Sequence, residues 1–176
     1  WYHLEDYEPN VVHRTLASLE KKGILKALYT QNIDMLHQRA GSKNVYEVHG
    51  GPEHHHCTKC HAEYGYDYVA PIVRAGEVPR CTKCGGVIKP DIVFYGENLD
   101  ENVLQSAWRD FSNPDLGLVL GSSLVVQPAA SFPVIAFRSG AKVVIVNAQP
   151  TSQDYYATLR FDDLGQTFEA LSKVYG

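Results

Sequence analysis

The chain of 176 residues is short of cysteine, has a single methionine, carries no excess of positive charge and contains no long apolar run. Each shortage excludes something. Nothing approaches the ~20 consecutive apolar residues that a membrane-spanning helix needs. Lysine and arginine number 16 against 20 acidic residues, a net charge of −4. That balance argues against nonspecific binding to nucleic acid or to an anionic membrane. No signal peptide is recognised, and a disulfide scaffold suits small secreted domains, so a reducing compartment such as the cytoplasm is expected. The only methionine is Met35. Trp1 is therefore not expected to be the biological start, and the chain reads as a fragment. The dinucleotide fingerprint Gly-x-Gly-x-x-Gly is also absent. A dinucleotide site here would need its main phosphate loop from outside these residues.

The cysteines that are present form two Cys-x2-Cys pairs, Cys57/Cys60 and Cys81/Cys84. Zn²⁺ takes four tetrahedral ligands, and two short knuckles each deliver two thiolates at the right bite. One structural zinc ion is expected; two disulfides or four buried thiols are the alternatives. Four thiolates fill the shell and leave no open position for catalysis. The adjoining His54-His55-His56 run is therefore expected at the surface.

The remainder is an ordinary globular chain, 44% hydrophobic, large enough for one domain with a small insert. Val12, Leu16 and Leu19 recur at helical spacing and predict a helix over 9–22, stopped at Gly23. A buried strand is expected at 24–29, a short helix at 34–40 and a strand at 45–48. Residues 52–89 hold all the cysteines and show little periodicity. Beyond them, strands are expected at 91–95, 116–120, 142–146 and 158–161. Helices are expected at 100–111, 128–138 and 164–174, the first with Asp100 as N-cap. Apolar strands alternating with amphipathic helices imply an open, mostly parallel α/β sheet with helices on both faces. The zinc lobe is inserted in one crossover.

In such sheets ligands bind beyond the carboxyl ends of the strands. Those ends carry Thr30-Gln31-Asn32-Ile33-Asp34, His49-Gly50, Gly96-Glu97, Gly121-Ser122-Ser123 and Asn147. Any one of these could be turn chemistry, but together they point to a binding cleft. Gly121-Ser122-Ser123 combines close backbone approach with hydroxyl donors near the next helix, which suits phosphate or ribose oxygens. His49 is the best candidate base, since imidazole exchanges protons near neutral pH. The bland alternative is a buried, hydrogen-bonded histidine.

These segments, with Leu36-His37, Ala40-Gly41, Glu47-Val48-His49-Gly50, the cysteine pairs, Lys89 to Glu97, Gly121 to Leu124 and Val144 to Asn147, resemble the sirtuins across essentially the whole chain. The likeness is greatest to compact prokaryotic members. The resemblance implies a Rossmann-like NAD-binding domain at 1–51 and 90–176 and a small zinc-binding lobe at 52–89. It implies NAD-dependent removal of acyl groups from protein lysines. The acyl oxygen attacks the ribose carbon that bears nicotinamide, and nicotinamide leaves. The residue at His49 then acts as base on a ribose hydroxyl, which attacks the imidate, and water completes the release of deacylated lysine and 2′-O-acyl-ADP-ribose. The zinc takes no part.

By the same resemblance, Asn32 places the attacked ribose, Gln31, Ile33 and Asp34 surround the nicotinamide and ribose, and Gly121, Ser122 and Ser123 contact the adenosine side. Asn147, Ala148 and Gln149 match the adenosine ribose site, and Gly165 lies near adenine. Val93, Tyr95, Gly96, Glu97 and Val126 match the acyl-lysine tunnel and peptide site. The acyl-lysine peptide would add as a strand between the lobes. Tyr95 stands where phenylalanine is usual, and Gly51 where a small polar residue is commoner. The amino-terminal part, with the first strand and the Gly-Ala-Gly phosphate loop, is not in these residues. The isolated chain is therefore expected to bind NAD poorly, turn over little and expose a sheet edge. Mono-ADP-ribosyl transfer at the same site and a non-catalytic zinc-ribbon module are the rival readings.

Overall fold

The computed structural model describes residues 2–175, so Trp1 and Gly176 lie outside the described residues. The first long helix is α1, Val11–Lys21. The Asn10 side chain accepts the N–H groups of Val12 and His13, and the His13 ring accepts the Asn10 N–H in return. This is a reciprocal cap with histidine in the usual place of glutamate or glutamine. Pro9 thus precedes the cap instead of entering the first turn.

The strand expected at 24–29 is only β1, Leu28–Thr30. The N–H groups of Ile24 and Leu25 both bond back to the Leu19 carbonyl, and Ile24 is 53% exposed. These residues satisfy the carboxyl end of α1 and cannot also join a ladder. After the short helix α2, Leu36–Arg39, strand β2, Val45–Glu47, pairs with β1 in parallel, Leu28 opposite Val45 and Thr30 opposite Glu47.

The chain then enters an antiparallel sheet of β3, Gly50–Cys57, β4, Glu63–Gly65, and β5, Ile88–Ile92, in the order β4-β3-β5. The strand expected at 91–95 in the parallel sheet is β5, and it belongs here. Ile88 and Ile92 are buried and Asp91 is exposed, the half-buried pattern of an antiparallel strand. Helix α3, Tyr66–Arg74, packs on this sheet. Its internal Pro71 and the surrounding turn residues hide the period that buries Val69 and Ala70. The histidine run does not lie wholly at the surface. Strand alternation turns His55 inward, to 1% exposure, where it meets the Tyr2 hydroxyl at 3.0 Å.

Helix α4, Glu101–Phe111, begins as expected, with the Asp100 carboxylate accepting the Asn102 N–H. The helix expected at 128–138 opens as a 3₁₀ turn over Ala129–Ser131 and becomes α5, Phe132–Arg138. Strands β6, Leu116–Leu120, β7, Lys142–Val146, and β8, Leu159–Phe161, run parallel, with Leu120, Val146 and Phe161 level with one another. Helix α6, Leu164–Tyr175, closes the fold.

Leu16 and Leu19 of α1, Leu28 of β1 and Phe168 of α6 form one buried cluster, joined by Leu118 and Leu120 of β6. One helical layer thus covers both parallel sheets. Each such fully buried side chain is worth roughly 1.5–3 kcal/mol. On the opposite face Ala107 of α4 and Phe132 of α5 pack with Val48 and Tyr29. The arrangement is α/β, parallel strands between helices with a separate antiparallel lobe. Among the described residues no helix is long and apolar enough to cross a membrane.

Candidate active site and metal centre

His49 sits in the turn between β2 and β3. Its placement is local and tight. The Val48 N–H bonds to the Thr30 carbonyl at 2.9 Å, and Val48 is 2% exposed. Gly50 follows with φ 69°, and a Cβ there would overlap the Asp91 carbonyl oxygen. Only glycine fits both the backbone angle and the approach. The His49 carbonyl accepts the Val93 N–H at 2.9 Å. The His49 Nδ1 lies 3.2 Å from the Gln31 carbonyl oxygen. A carbonyl only accepts, so Nδ1 carries the proton and donates it. In the neutral ring this puts the lone pair on Nε2, the nitrogen that would act as base.

The Gln31–Asp34 segment is organised by its own side chains. Asn32 N–H donates to Thr30 Oγ1 at 3.0 Å, and Asn32 Nδ2 donates to Asp34 Oδ2 at 3.2 Å. Asp34 Oδ1 accepts the Leu36 N–H at 3.0 Å and so opens α2. Met35 takes a left-handed φ of 57° between them. Asn32 is exposed, while Gln31, Ile33 and Asp34 are half-buried. Ile33 and Asp34 line a cavity with His3, Leu4, Asp6 and Tyr7.

The second group of residues lies at the carboxyl edge of β6–β8. Gly121, at φ 56°, donates its N–H to the Val146 carbonyl, and its Cα faces Leu164 of α6. Ser122 Oγ accepts the Leu124 N–H at 3.2 Å. The serines do not stand at a helix start, because the chain reaches its next helical turn only at Ala129. The helix amino terminus at this edge is that of α6, where Asp163 Oδ1 caps the Gln166 N–H beside Gly165. Asn147 N–H bonds to the Phe161 carbonyl, and Asn147 Nδ2 donates to the Gln149 carbonyl at 2.7 Å. Ala148 and Gln149 are exposed.

On the other side, the chain leaving β5 is shaped by Glu97. Its Oε2 accepts the Phe94 N–H and the Lys89 ammonium, both at 2.9 Å. The Phe94 N–H first, and then Lys89, hold its carboxyl below the usual range. Gly96 takes φ 91° to close this turn. Tyr95 projects fully into solvent, and Val126, on the loop before α5, is 49% exposed. Val93 is drawn to His49 by the backbone bond; Val126 belongs to a different loop.

The four cysteine sulfurs come together as expected, all within 4.8 Å of one another. The Cys57–Cys84 and Cys60–Cys81 sulfur distances are both 3.5 Å, far beyond a covalent S–S bond. Cys57 and Cys81 are buried, and Cys60 is exposed. Gly86 makes room for the cluster: a Cβ there would lie 2.7 Å from Cys57 Sγ. Four thiols around one point, with the wall cut back to admit them, fit a single tetrahedral zinc ion.

A Sir2 family model matches residues 1–128. The chain belongs to the Sir2 family. This Sir2 chain is 48% identical over 155 residues to the NAD-dependent protein deacetylase of Thermotoga maritima, covering 88% of the chain and 63% of that protein. It is 45% identical over 168 residues to NAD-dependent protein deacylase 2 of Archaeoglobus fulgidus, covering 95% of the chain and 66% of that protein. The chain thus spans less than two thirds of the length of either relative. A solved Sir2 structure with a p53 peptide and NAD⁺ matches at a TM-score of 0.92 and 44% identity, over 97% of this chain and 72% of that one. A second, bound to a propionylated peptide, matches at 0.89 and 45% identity, over 97% and 71%.

Several features of the Sir2 chain escaped the sequence reading. Glu47 folds over Gly51, its carboxylate filling the space where a Cβ at that position would stand. Burial pushes the Glu47 carboxyl upward, and a Gln38 hydrogen bond opposes it. His13 and His37, both buried, meet with ring centroids 4.7 Å apart and their planes tilted by 58°. Burial first, and then His13, lowers the His37 imidazole to about 4. Residues 2–8 tie the two regions together. Arg39 of α2 holds the Leu4 and Tyr7 carbonyls and Glu8, and Arg74 of α3 holds the Tyr2 carbonyl and Glu5. Such contacts join residues far apart in sequence and leave no local signal.

Proposed function

We propose that this chain carries the catalytic and zinc-binding portion of an NAD-dependent protein lysine deacylase. The observation that carries the reading is His49. Its Nδ1 is tied to the carbonyl of Gln31, the residue that begins the Gln31–Asp34 segment, and its backbone is locked by Gly50. NAD, when bound, would supply the ribose carbon that the acyl oxygen attacks as nicotinamide leaves, and the ribose hydroxyl on which the acyl group ends. His49 Nε2 would take the proton from a ribose hydroxyl. Asn32, held by Thr30 and Asp34, would orient that ribose, with Gln31, Ile33 and Asp34 around the nicotinamide.

Gly121, Ser122, Ser123, Asn147, Ala148, Gln149 and Gly165 would face the adenosine half. In support, these positions lie at the carboxyl edge of β6–β8 or at the adjoining start of α6. The acyl-lysine peptide would run along Val93, Tyr95, Gly96 and Glu97 towards Val126, where main-chain groups bind with little sequence demand. We read residues 1–51 and 90–176 as the cofactor lobe and 52–89 as the small lobe, with the parallel and antiparallel sheets in support. The β3–β5 pairing carries the small-lobe sheet a few residues past both boundaries. The reduced cysteine cluster fits the cytoplasm.

The test is mass spectrometry of an acetyl-lysine peptide incubated with NAD and the native protein. Deacylated peptide with acyl-ADP-ribose is the expected product, lost in His49→Tyr. A peptide that gains ADP-ribose would instead favour transferase chemistry. Full retention of turnover by His49→Tyr would remove His49 from the chemistry.

A further inference from the structure

The two cysteine knuckles look equivalent and are not. In each, the first cysteine accepts a backbone N–H from two residues ahead: Lys59 N–H to Cys57 Sγ and Lys83 N–H to Cys81 Sγ, both at 3.4 Å. Cys81 receives something more. The Tyr64 hydroxyl on β4 donates to Cys81 Sγ at 3.1 Å. Among the described residues it is the one side chain outside the cysteines that hydrogen-bonds to any of the four sulfurs.

The same phenol oxygen also lies 2.9 Å from the Thr82 N–H and 3.1 Å from Thr82 Oγ1. Counting protons decides the direction of each bond. A backbone N–H can only donate, so the phenol oxygen accepts from Thr82 N. The phenol has one proton and the sulfur of a metal-bound thiolate has none. All three contacts are satisfied together only if Thr82 Oγ1 donates to the phenol and the phenol donates to sulfur. The ring is fixed from its flank by Tyr68, with centroids 5.0 Å apart, and it packs against the Cys57, Val69, Cys81 and Ile88 cluster. The phenol proton is therefore held on target by packing and by two donors behind it.

We infer that Tyr64 is a positioning residue for the zinc site, clamping the Cys81 thiolate through a charge-assisted O–H···S bond. A donor to a metal-bound thiolate spreads the sulfur's negative charge and fixes its direction. Partners one bond beyond the ligands commonly change metal affinity by about 10–100-fold. The clamp makes the site asymmetric. Cys81, buried and clamped, is the last sulfur to leave the metal, and Cys60, exposed and without such a donor, is the first.

The test compares the zinc-loaded protein with Tyr64→Phe, which keeps the ring, and Thr82→Val, which keeps the phenol. Zinc transfer to a chromophoric chelator gives affinity and release rate, and alkylation mapped by mass spectrometry gives the order in which thiols open. We expect Tyr64→Phe to weaken zinc binding by about tenfold or more, with a smaller effect from Thr82→Val. Cys60 should be alkylated first in the parent protein, and Cys81 should lose its protection in Tyr64→Phe. The thiolate-to-metal charge-transfer band of the cobalt-substituted protein separates the clamp from packing: loss of the O–H donor should move it in Tyr64→Phe, whereas a mere loss of packing would not. Unchanged zinc affinity in Tyr64→Phe would overturn the inference. So would an equal effect of Thr82→Val, or a charge-transfer band that stays in place in Tyr64→Phe.

Discussion

The cysteine cluster and the His49 cleft are both polar sites, and they are built in opposite ways. The cluster is closed. Its sulfurs face one another within 4.8 Å, two of them buried; Cys57 ends β3, and Cys60, Cys81 and Cys84 lie in the turns outside the strands. The cleft is open. His49 is half-buried and tied to a backbone carbonyl, Asn32 is exposed and held by the Thr30 and Asp34 side chains, and Tyr95 projects into solvent. A filled metal shell suits a structural role, whereas an imidazole with one nitrogen tied and the other free suits proton transfer. The family's chemistry can therefore be separated from its metal.

The largest perturbation should fall on the closed site alone. Removing zinc, or replacing Cys57 by alanine, should unfold the β3–β5 lobe while β6–β8 stay protected. Binding of a structural zinc is worth on the order of 10 kcal/mol in small zinc domains, and much of that is folding energy. Hydrogen exchange resolved by segment would show it; uniform loss of protection across both regions would break the comparison.

Gly50 joins the two regions and comes next. Gly50→Ala meets both a left-handed φ and the Asp91 carbonyl, and should cost roughly 3 kcal/mol in urea unfolding. Gly41→Ala, at φ 102° with open space around it, should cost only about 1 kcal/mol. Equal costs would show that the approach of β5 to the His49 turn is not tight.

The cleft side also carries a pH dependence. His37 titrates near 4 when folded, below its ordinary 6.5, because it is buried beside His13, with Asp34 opposing the shift. Between those values the unfolded chain binds the extra proton, so stability falls as pH drops from about 6.5 towards 4 and is flat above. The loss should be roughly 2 kcal/mol, with solvent around the pair reducing the full linkage value. His37→Gln should flatten that part of the curve in a denaturant titration repeated at several pH values; an unchanged slope would assign it elsewhere.

The smallest effect on stability belongs to Tyr95. Its side chain is fully exposed, so Tyr95→Phe should shift unfolding by no more than about 0.5 kcal/mol. If this position lines the acyl site, the same variant should change the ratio of acetyl to longer-acyl turnover in competition assays.

The two regions also differed in how well the residues announced them. The cysteine spacing stated the metal site outright, because ligand bite is a local property. Helix α4 and strands β6 and β7 were legible for the same reason: cap, period and turn lie within a few residues. The strand at 24–29 failed because the residues after α1 fold back on Leu19, and no local pattern shows that. Strand β5 was recognised in part but assigned to the wrong sheet, since its partner β3 lies across the whole zinc lobe. The Tyr64–Cys81, Glu47–Gly51 and Arg39–residue 4–8 contacts had no sequence signal. The list of residues at the strand ends was readable, but the backbone carbonyl that orients His49 was not.

The separation of metal from chemistry is tested most directly by exchanging zinc for cobalt and measuring NAD-dependent deacylation of an acetyl-lysine peptide beside His49→Gln. Turnover that is unchanged by the metal and falls at least ~100-fold in His49→Gln is the predicted result. Turnover that follows the identity of the metal while His49→Gln stays active would contradict it.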